Sequence, residues 1–388
     1  MYYNTIVLIP TFVLLLFASC KNNIKNHEEA EEAIEYNLGD GKDGSIEDVF
    51  AKVELIPLLF EGNSYPSAIR EVRVCDKYIF VFDNKQILHV FTTEGKYVAS
   101  STDKRGQGPG EYSIITGFSW NPYSQTIEIL TPQNIIFYDI NFRYKKDIKV
   151  PTDIKKGLVF GSIEDLSATE HVLLPTSISR DPQRVFIFDS ASGKILKESS
   201  YEKDVISPLT MQTRCLYELG NGFEFVAPAM TGCIYGISDQ GLGLPIAKLE
   251  YGADAITKEE LIQHDKNEEE LSNFLMSSDK GISMAQFLMK NIIITLMKQG
   301  KSMRESHYSV FDTKSGKSVN VRFMKGNIQL FPFVRDVDSD NVYTIMDKAT
   351  ILESPQLLLN KLDEAETELS KISDEDYVLM KYTPKELR

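Results

Sequence analysis

Short apolar stretches with alternate positions polar recur along this chain, and the clearest of them end in a turn that carries Gly, with Asp at its start in two of the three. Three copies stand out: Leu88-His-Val-Phe-Thr-Thr-Glu-Gly95-Lys96, Val185-Phe-Ile-Phe-Asp189-Ser-Ala-Ser-Gly193-Lys194 and Tyr308-Ser-Val-Phe-Asp312-Thr-Lys-Ser-Gly316-Lys317. Two weaker copies are Ile135-Ile-Phe-Tyr-Asp139-Ile-Asn-Phe-Arg143 and Cys233-Ile-Tyr-Gly-Ile-Ser-Asp239-Gln-Gly241. An alternating run predicts a half-buried strand, and the turn predicts a hairpin, since Gly tolerates positive φ and Asp bonds its own local backbone. The aromatic anchors Phe91, Tyr138, Phe188, Tyr235 and Phe311 are separated by 47, 50, 47 and 76 residues. A period near ~50 residues with several strands per unit is the mark of propeller blades. The long last interval is explained by an inserted helix over about residues 257–278, which Thr257-Lys-Glu-Glu260 opens as a capping box.

Strands counted on this period give four per unit. Five blades cover about residues 68–101, 114–150, 157–199, 213–251 and 283–325. A sixth begins with Phe331–Asp336 and Asn341–Ile345 and is interrupted by a second helix over about residues 354–373. Ser354 and Pro355 start that helix, and Leu358, Leu362, Ala365, Leu369 and Ile372 share one face. One more strand, Tyr377–Tyr382, follows it. Blade six is then a strand short, while Val53–Phe60 lies upstream of blade one with no blade of its own. Pairing the two ends closes the ring and removes its exposed edges. The fold class expected is all-β: a six-bladed β-propeller of four-stranded blades with two short helical insertions.

The N-terminus has a different character. Ile6–Ala18 is an apolar run ending in Phe17-Ala-Ser-Cys20, too short to cross a ~30 Å hydrocarbon layer. It reads as a signal peptide over residues 1–19, with Cys20 at the lipidation position of a bacterial lipoprotein. An uncleaved anchor and an ordinary secretory signal are the competing readings. Two or three acyl chains on one cysteine hold a protein stably, since each buried methylene contributes ~0.8 kcal/mol. The lipid bilayer, met through acylated Cys20, is therefore the first expected partner. Residues 20–50 are expected to be the lipidated Cys and a polar tether, and 51–388 the propeller.

The chain resembles the six-bladed propeller lipoproteins of Bacteroidetes-type bacteria. Tyr78–Asp83, Gly106-Gln-Gly-Pro-Gly-Glu-Tyr112, Cys233–Ile237, Asn341–Ile345 and Asp376–Tyr382 carry the resemblance, which spans nearly the whole mature chain. It implies the fold and a lipid-anchored place in the cell envelope, at the outer membrane. It implies no activity.

Chemistry is sparse. A net charge of −14 argues against nucleic acid and anionic lipid headgroups as partners. Three cysteines beyond Cys20, at 75, 215 and 233, make no even disulfide framework, and buried thiols are expected, with a Cys215–Cys233 bridge left open. The five His residues, at 27, 89, 171, 264 and 307, show no metal spacing, so neither metal nor cofactor is expected. No nucleophile elbow appears, and no catalytic residue is assigned. Gly106-x-Gly-x-Gly110 precedes a strand instead of a helix, which excludes a phosphate loop. That segment is still the best ligand-binding candidate, through Lys104, Arg105, Glu111 and Tyr112. It joins two blades and is expected to cross a face toward the channel; the competing reading is that it packs the blade junction. Trp120, Tyr123, Phe331 and Phe333 either stack on sugars or belong to the core. Spacing does not exclude carboxylates assembled from several blades in the channel; the Arg335-Asp336-Val-Asp338 stretch of blade six is the closest hint of that, though Asp338 and Asp340 read better as turn residues. The functional expectation is an envelope-anchored, non-catalytic binding module for a glycan, a peptide or another envelope protein. The alternative is a hydrolase or lyase with its site in the channel.

Overall fold

The structure is a computed structural model. It describes residues 33–387 except 62–64, 76, 154, 156, 177–182, 202–210, 221, 228–231, 303–304, 326–327 and 360–361. Cys20 and the signal segment lie outside the described residues.

Six antiparallel meanders form the ring. Their innermost strands are Ile69–Cys75, Gly117–Asn121, Phe160–Asp165, Leu216–Leu219, Ile282–Leu288 and Val334–Val337. Each recurring hairpin seen in the sequence is the third-to-fourth strand turn of its blade: Leu88–Thr92 with Tyr97–Ser100, and its counterparts in blades two to five. The turn chemistry holds. Asp312 Oδ1 accepts from the backbone N–H of Lys314 at 2.9 Å, and Asp189 caps Ala191 and Ser192 in the same way. Gly95, Gly193, Gly241 and Gly316 all have φ between 66° and 92°. In the weakest copy Phe142 occupies the left-handed position at φ 56°. Its ring is buried against Tyr138 at 5.9 Å, and that contact offsets the strain.

Ring closure follows the sequence expectation. Phe50–Pro57 is the outer strand of blade six and pairs antiparallel with Tyr377–Pro384, so one blade is built from both ends of the described chain. The strand begins three residues earlier than expected and stops before Phe60.

The fold takes in part of the segment expected to be tether, because residues 34–50 are not all linker. Ile34–Asn37 adds a parallel fifth strand to the outer strand Gly241–Glu250 of blade four. Lys42–Gly44 does the same to Lys317–Arg322 of blade five, and a one-turn helix, Ile46–Val49, leads into blade six. The chain thus runs as a belt along two consecutive outer edges, those of blades four and five, before entering the ring as the outer strand of blade six. Leu38, Ile46, Val49 and Phe50 anchor it in the largest core cluster. Apolar burial at these few positions outweighs the polar composition that suggested a solvated tether.

Both helical insertions are present, and both are broken. Thr257 and Glu260 make the expected capping box, but the first insertion splits into Lys258–His264 and Glu268–Ser277, with Asn267 capping the second helix. The other starts earlier than expected, with Lys348–Glu353 capped by Asp347, then a 3-10 turn, Pro355–Leu358, then Leu362–Leu369. Leu359 takes the left-handed conformation at φ 50°, which stops the continuous helix read from the periodicity. Ala365, Leu369 and Ile372 are buried as expected; the side chain of Leu362 lies outside the described residues. No disulfide joins Cys215 and Cys233, both buried thiols. Among the described residues no helix is long and apolar enough to cross a membrane.

Candidate functional site

The inner strands run in the same sense down the channel, so their C-terminal ends share one mouth. There the structure has a cavity of about 610 Å³, to which the inner strands of all six blades contribute. Arg73, Val74 and Cys75 come from blade one, Ser119 and Trp120 from blade two, Glu164 and Asp165 from blade three. Leu216–Leu219, Leu288 and Val337 complete the wall from blades four, five and six. A smaller space of about 240 Å³, lined by Arg70, Glu71, Thr213 and Arg335 among others, lies toward the other end.

Between the two spaces, buried charge spans the channel. Arg73 donates through Nε to Glu71 at 2.6 Å, through Nη1 to Glu164 at 3.0 Å and through Nη2 to the Thr213 carbonyl at 3.2 Å. Its guanidinium also lies over the Phe118 ring at 5.0 Å. Arg214 donates to Asp336 Oδ1 and the Val337 carbonyl, both at 3.3 Å. Asp336 Oδ2 in turn accepts from the Val74 backbone N–H at 2.7 Å. Blades one, three, four and six are thereby tied across the channel. Three carboxylates face two guanidinium groups, so the set carries one surplus negative charge when fully ionised. Burial pushes the Glu164 carboxyl up to about 7 against the pull of Arg73, and its Oε1 is buried with no hydrogen-bond partner. Burial also raises Glu71 and Asp336, against Arg73 and Arg214 respectively.

The rim is aromatic and acidic. Trp120 packs edge-on to Tyr78 at 5.2 Å and stacks on Phe80 at 5.9 Å, while Tyr123 is 48% exposed. Of the four aromatics weighed in the sequence, these two reach the cavity. Phe331 is core, and Phe333 lines the smaller space. Asp338 is held as a turn residue: Oδ1 accepts from the Asp340 and Asn341 backbone N–H groups at 2.7 and 2.6 Å, and Oδ2 from the Tyr343 hydroxyl at 2.6 Å.

The loop containing Lys104, Arg105, Glu111 and Tyr112 lies elsewhere. It precedes the N-terminal end of the blade-two inner strand, and none of the four lines the 610 Å³ cavity. Tyr112 is buried at 2% exposure in the core between blades one and two, its hydroxyl bonded to Ser101 Oγ at 2.5 Å and to the Gln86 carbonyl at 2.9 Å. Lys104 is half-buried, and Arg105 and Glu111 are exposed. Glu111 accepts from the Gly108 backbone N–H at 2.9 Å, and Arg105 bridges to Tyr112 along the backbone. Gly110, at φ 70°, lies so near the Tyr144 ring that a Cβ would be 2.6 Å from it. The expectation that this loop reaches the channel mouth is therefore corrected: its geometry is that of a blade junction.

Sequence reading also missed a cluster of three. His171 Nδ1 is 2.8 Å from Asp165 Oδ1 and 3.1 Å from Glu128 Oε2, all buried between blades two and three. Glu128 Oε1 accepts from Thr126 at 3.2 Å. Burial and Asp165 push Glu128 up to about 7. Burial lowers the imidazole, but the two carboxylates beside it, Asp165 through a hydrogen bond and Glu128 through its charge, outweigh it and raise His171 to about 10. The three lie 37 and 6 residues apart in sequence, and only strand register brings them together.

The comparisons agree with this architecture. The model of a domain of unknown function, DUF4934, matches residues 33–382, a span that includes the belt as well as the blades. The chain matches no curated protein. A crystal structure of a Bacteroides fragilis protein, described provisionally as exported, superposes with a TM-score of 0.67 at 14% identity, covering 91% of this chain and 100% of that one. A member of the DUF4221 family from Bacteroides vulgatus superposes with a TM-score of 0.51 at 10% identity, covering 87% of this chain and 97% of that one. At such identities the likeness is one of fold.

Proposed function

This chain belongs to the DUF4934 family, and from that premise we propose that it is an exported, lipid-anchored binding module that takes a glycan or peptide into the mouth of its channel. The observation that carries the reading is the cavity of about 610 Å³, mid-range for ligand sites. Its floor is closed by ion pairs, and its rim offers Trp120 and Tyr123. A non-catalytic role is favoured because the converging carboxylates Glu71, Glu164 and Asp336 are already paired with Arg73 or Arg214. Anchoring through acylated Cys20 at the outer membrane, and export like that described for the Bacteroides fragilis relative, complete the proposal.

The chain's one Trp stands on the cavity wall, so its fluorescence is a built-in reporter. Titration with panels of oligosaccharides and of short peptides is expected to shift Trp120 emission for one class, and Tyr123→Ala to weaken that response. A ligand captured equally by wild type and Tyr123→Ala, with Trp120 emission unmoved, places binding elsewhere. Cleaved sugars or peptides in the same mixtures make the channel a hydrolase or lyase site instead.

A further inference from the structure

We infer that Glu128, Asp165 and His171 form a binding site for a divalent transition-metal cation, Zn²⁺ or Mn²⁺, wedged between blades two and three. The ligand atoms are His171 Nδ1, Asp165 Oδ1 and Glu128 Oε2, all within 4.8 Å of one another. Bonds of about 2.0–2.1 Å at tetrahedral angles place zinc's donors ~3.3 Å apart. The two separations of 2.8 and 3.1 Å need only small side-chain adjustments to reach that spacing. One imidazole with two carboxylates suits Zn²⁺ or Mn²⁺ better than Ca²⁺, which prefers oxygen ligands throughout, or Cu(I), which prefers sulfur.

Unmet valence inside the protein points to an ion. Glu128 is fully buried, yet its Oε2 has no hydrogen-bond partner although it faces His171 Nδ1 at 3.1 Å. A proton on Nδ1 serves Asp165 at 2.8 Å and leaves Glu128 Oε2 unserved. Charge gives the same answer. Counted with both carboxylates ionised and an imidazolium, the set has a net charge of −1, and the rings of Phe137 and Phe188 pack against His171. A divalent ion on a neutral imidazole and two carboxylates leaves no net charge, which removes the cost of burying an uncompensated one. Thr126 Oγ1, bonded to Glu128 Oε1 at 3.2 Å, orients that ligand from behind. Asp165 also lines the channel cavity, so an ion has a route in from the mouth.

The test uses the full chain purified in detergent, stripped with EDTA and titrated separately with ZnCl₂, MnCl₂ and CaCl₂. Uptake is followed calorimetrically and bound metal is counted by elemental analysis. Co²⁺ serves as a visible-absorption probe of His and carboxylate ligation. One Zn²⁺ or Mn²⁺ per chain is expected, with a raised melting temperature. His171→Gln and Glu128→Gln are each expected to weaken binding by about 100-fold or more, since even supporting residues around a metal give about 10–100-fold. His264→Gln, at a surface His beside Glu270, is expected to change nothing. Glu128→Gln keeps the shape and the Thr126 contact, so it decides the matter if His171→Gln fails to fold. No uptake by the stripped wild type overturns the inference. Uptake that survives unchanged in both variants overturns it too. So does an imidazole NMR signal of His171 that excess Zn²⁺ leaves unmoved.

Discussion

Replacing Arg73 by Met tests whether the channel is closed by charge or by shape. Met keeps most of the apolar stem and removes three hydrogen bonds and the contact over Phe118. Glu71 and Glu164 then lose the cation they are hydrogen-bonded to, and only the weaker pull of Arg70 and Arg214 remains. Breaking a buried pair from one side typically costs about 3–5 kcal/mol, because the remaining charge is uncompensated. Here the cost depends on pH, because a carboxyl that loses its cation can take a proton. Glu164 has a folded value of about 7 against an ordinary 4.5. A raised acid value means that the folded state holds the extra proton, so this stability is present below the unfolded value and is lost as pH rises through the folded one. Without Arg73, the folded values of Glu164 and Glu71 move higher still. The variant therefore loses up to about 1.4 kcal/mol per pH unit for each carboxyl that stays protonated in the fold. Near pH 5 the expected penalty is only about 1–2 kcal/mol, from the lost Thr213 hydrogen bond and the ring contact. Near pH 8 it reaches the full ~3–5 kcal/mol. Urea denaturation of both proteins across this range, at constant ionic strength, measures the difference. Adding Glu164→Gln to Arg73→Met is expected to flatten the dependence and recover part of the stability. A penalty of equal size near pH 5 and pH 8 refutes the account and makes Arg73 a packing residue.

Three further outcomes are expected. Tyr112→Phe, which strips a buried hydroxyl from Ser101 and Gln86, costs about 1–3 kcal/mol by denaturant melt, whereas exposed Arg105→Ala changes stability by no more than about 0.5 kcal/mol. Partner capture falls only as far as the folded fraction does if this loop serves the blade junction. Removing the residues after Ile372 takes away the strand between Val342–Asp347 and Phe50–Pro57, so the melting temperature drops steeply; an unchanged value contradicts the closure. Cys20→Ala abolishes acyl labelling in cells, and an acylated variant, or a wild-type mature N-terminus other than residue 20, rules the anchor out.

Local chemistry was legible in the chain wherever a feature spans only a few residues. The period-two strands, the Gly turns at 95, 193, 241 and 316, and the Thr257 capping box all depend on neighbours in sequence, and all appear where the pattern puts them. Blade number followed from their spacing. Closure followed from two unpaired strands at the chain's ends, because unmet strand edges must find partners. What the linear pattern misjudged had its cause in packing. The polar segment before residue 50 joins the sheets because Leu38, Ile46 and Val49 find a pocket on blades far away in sequence. The helix after Asp347 breaks at Leu359, although its periodicity runs on.

The candidate sites divide along the same line. The Gly106–Tyr112 loop attracted notice through its composition, yet the side chain with the strongest contacts there, Tyr112, faces inward. Asp336 stood in the one acidic stretch that hinted at channel carboxylates, but Glu71, Arg73, Glu164 and Arg214 carry no motif, and neither do Glu128, Asp165 and His171. Each is an ordinary polar residue on or beside a strand until the ring closes. The sequence by itself determined the blades, their turns and the strands that close them, because those rest on short-range sterics and hydrogen bonding. Tertiary structure decided which charges meet, because a propeller places residues from different blades side by side in a dry space. Their interaction there depends on a distance and a dielectric that no spacing along the chain encodes.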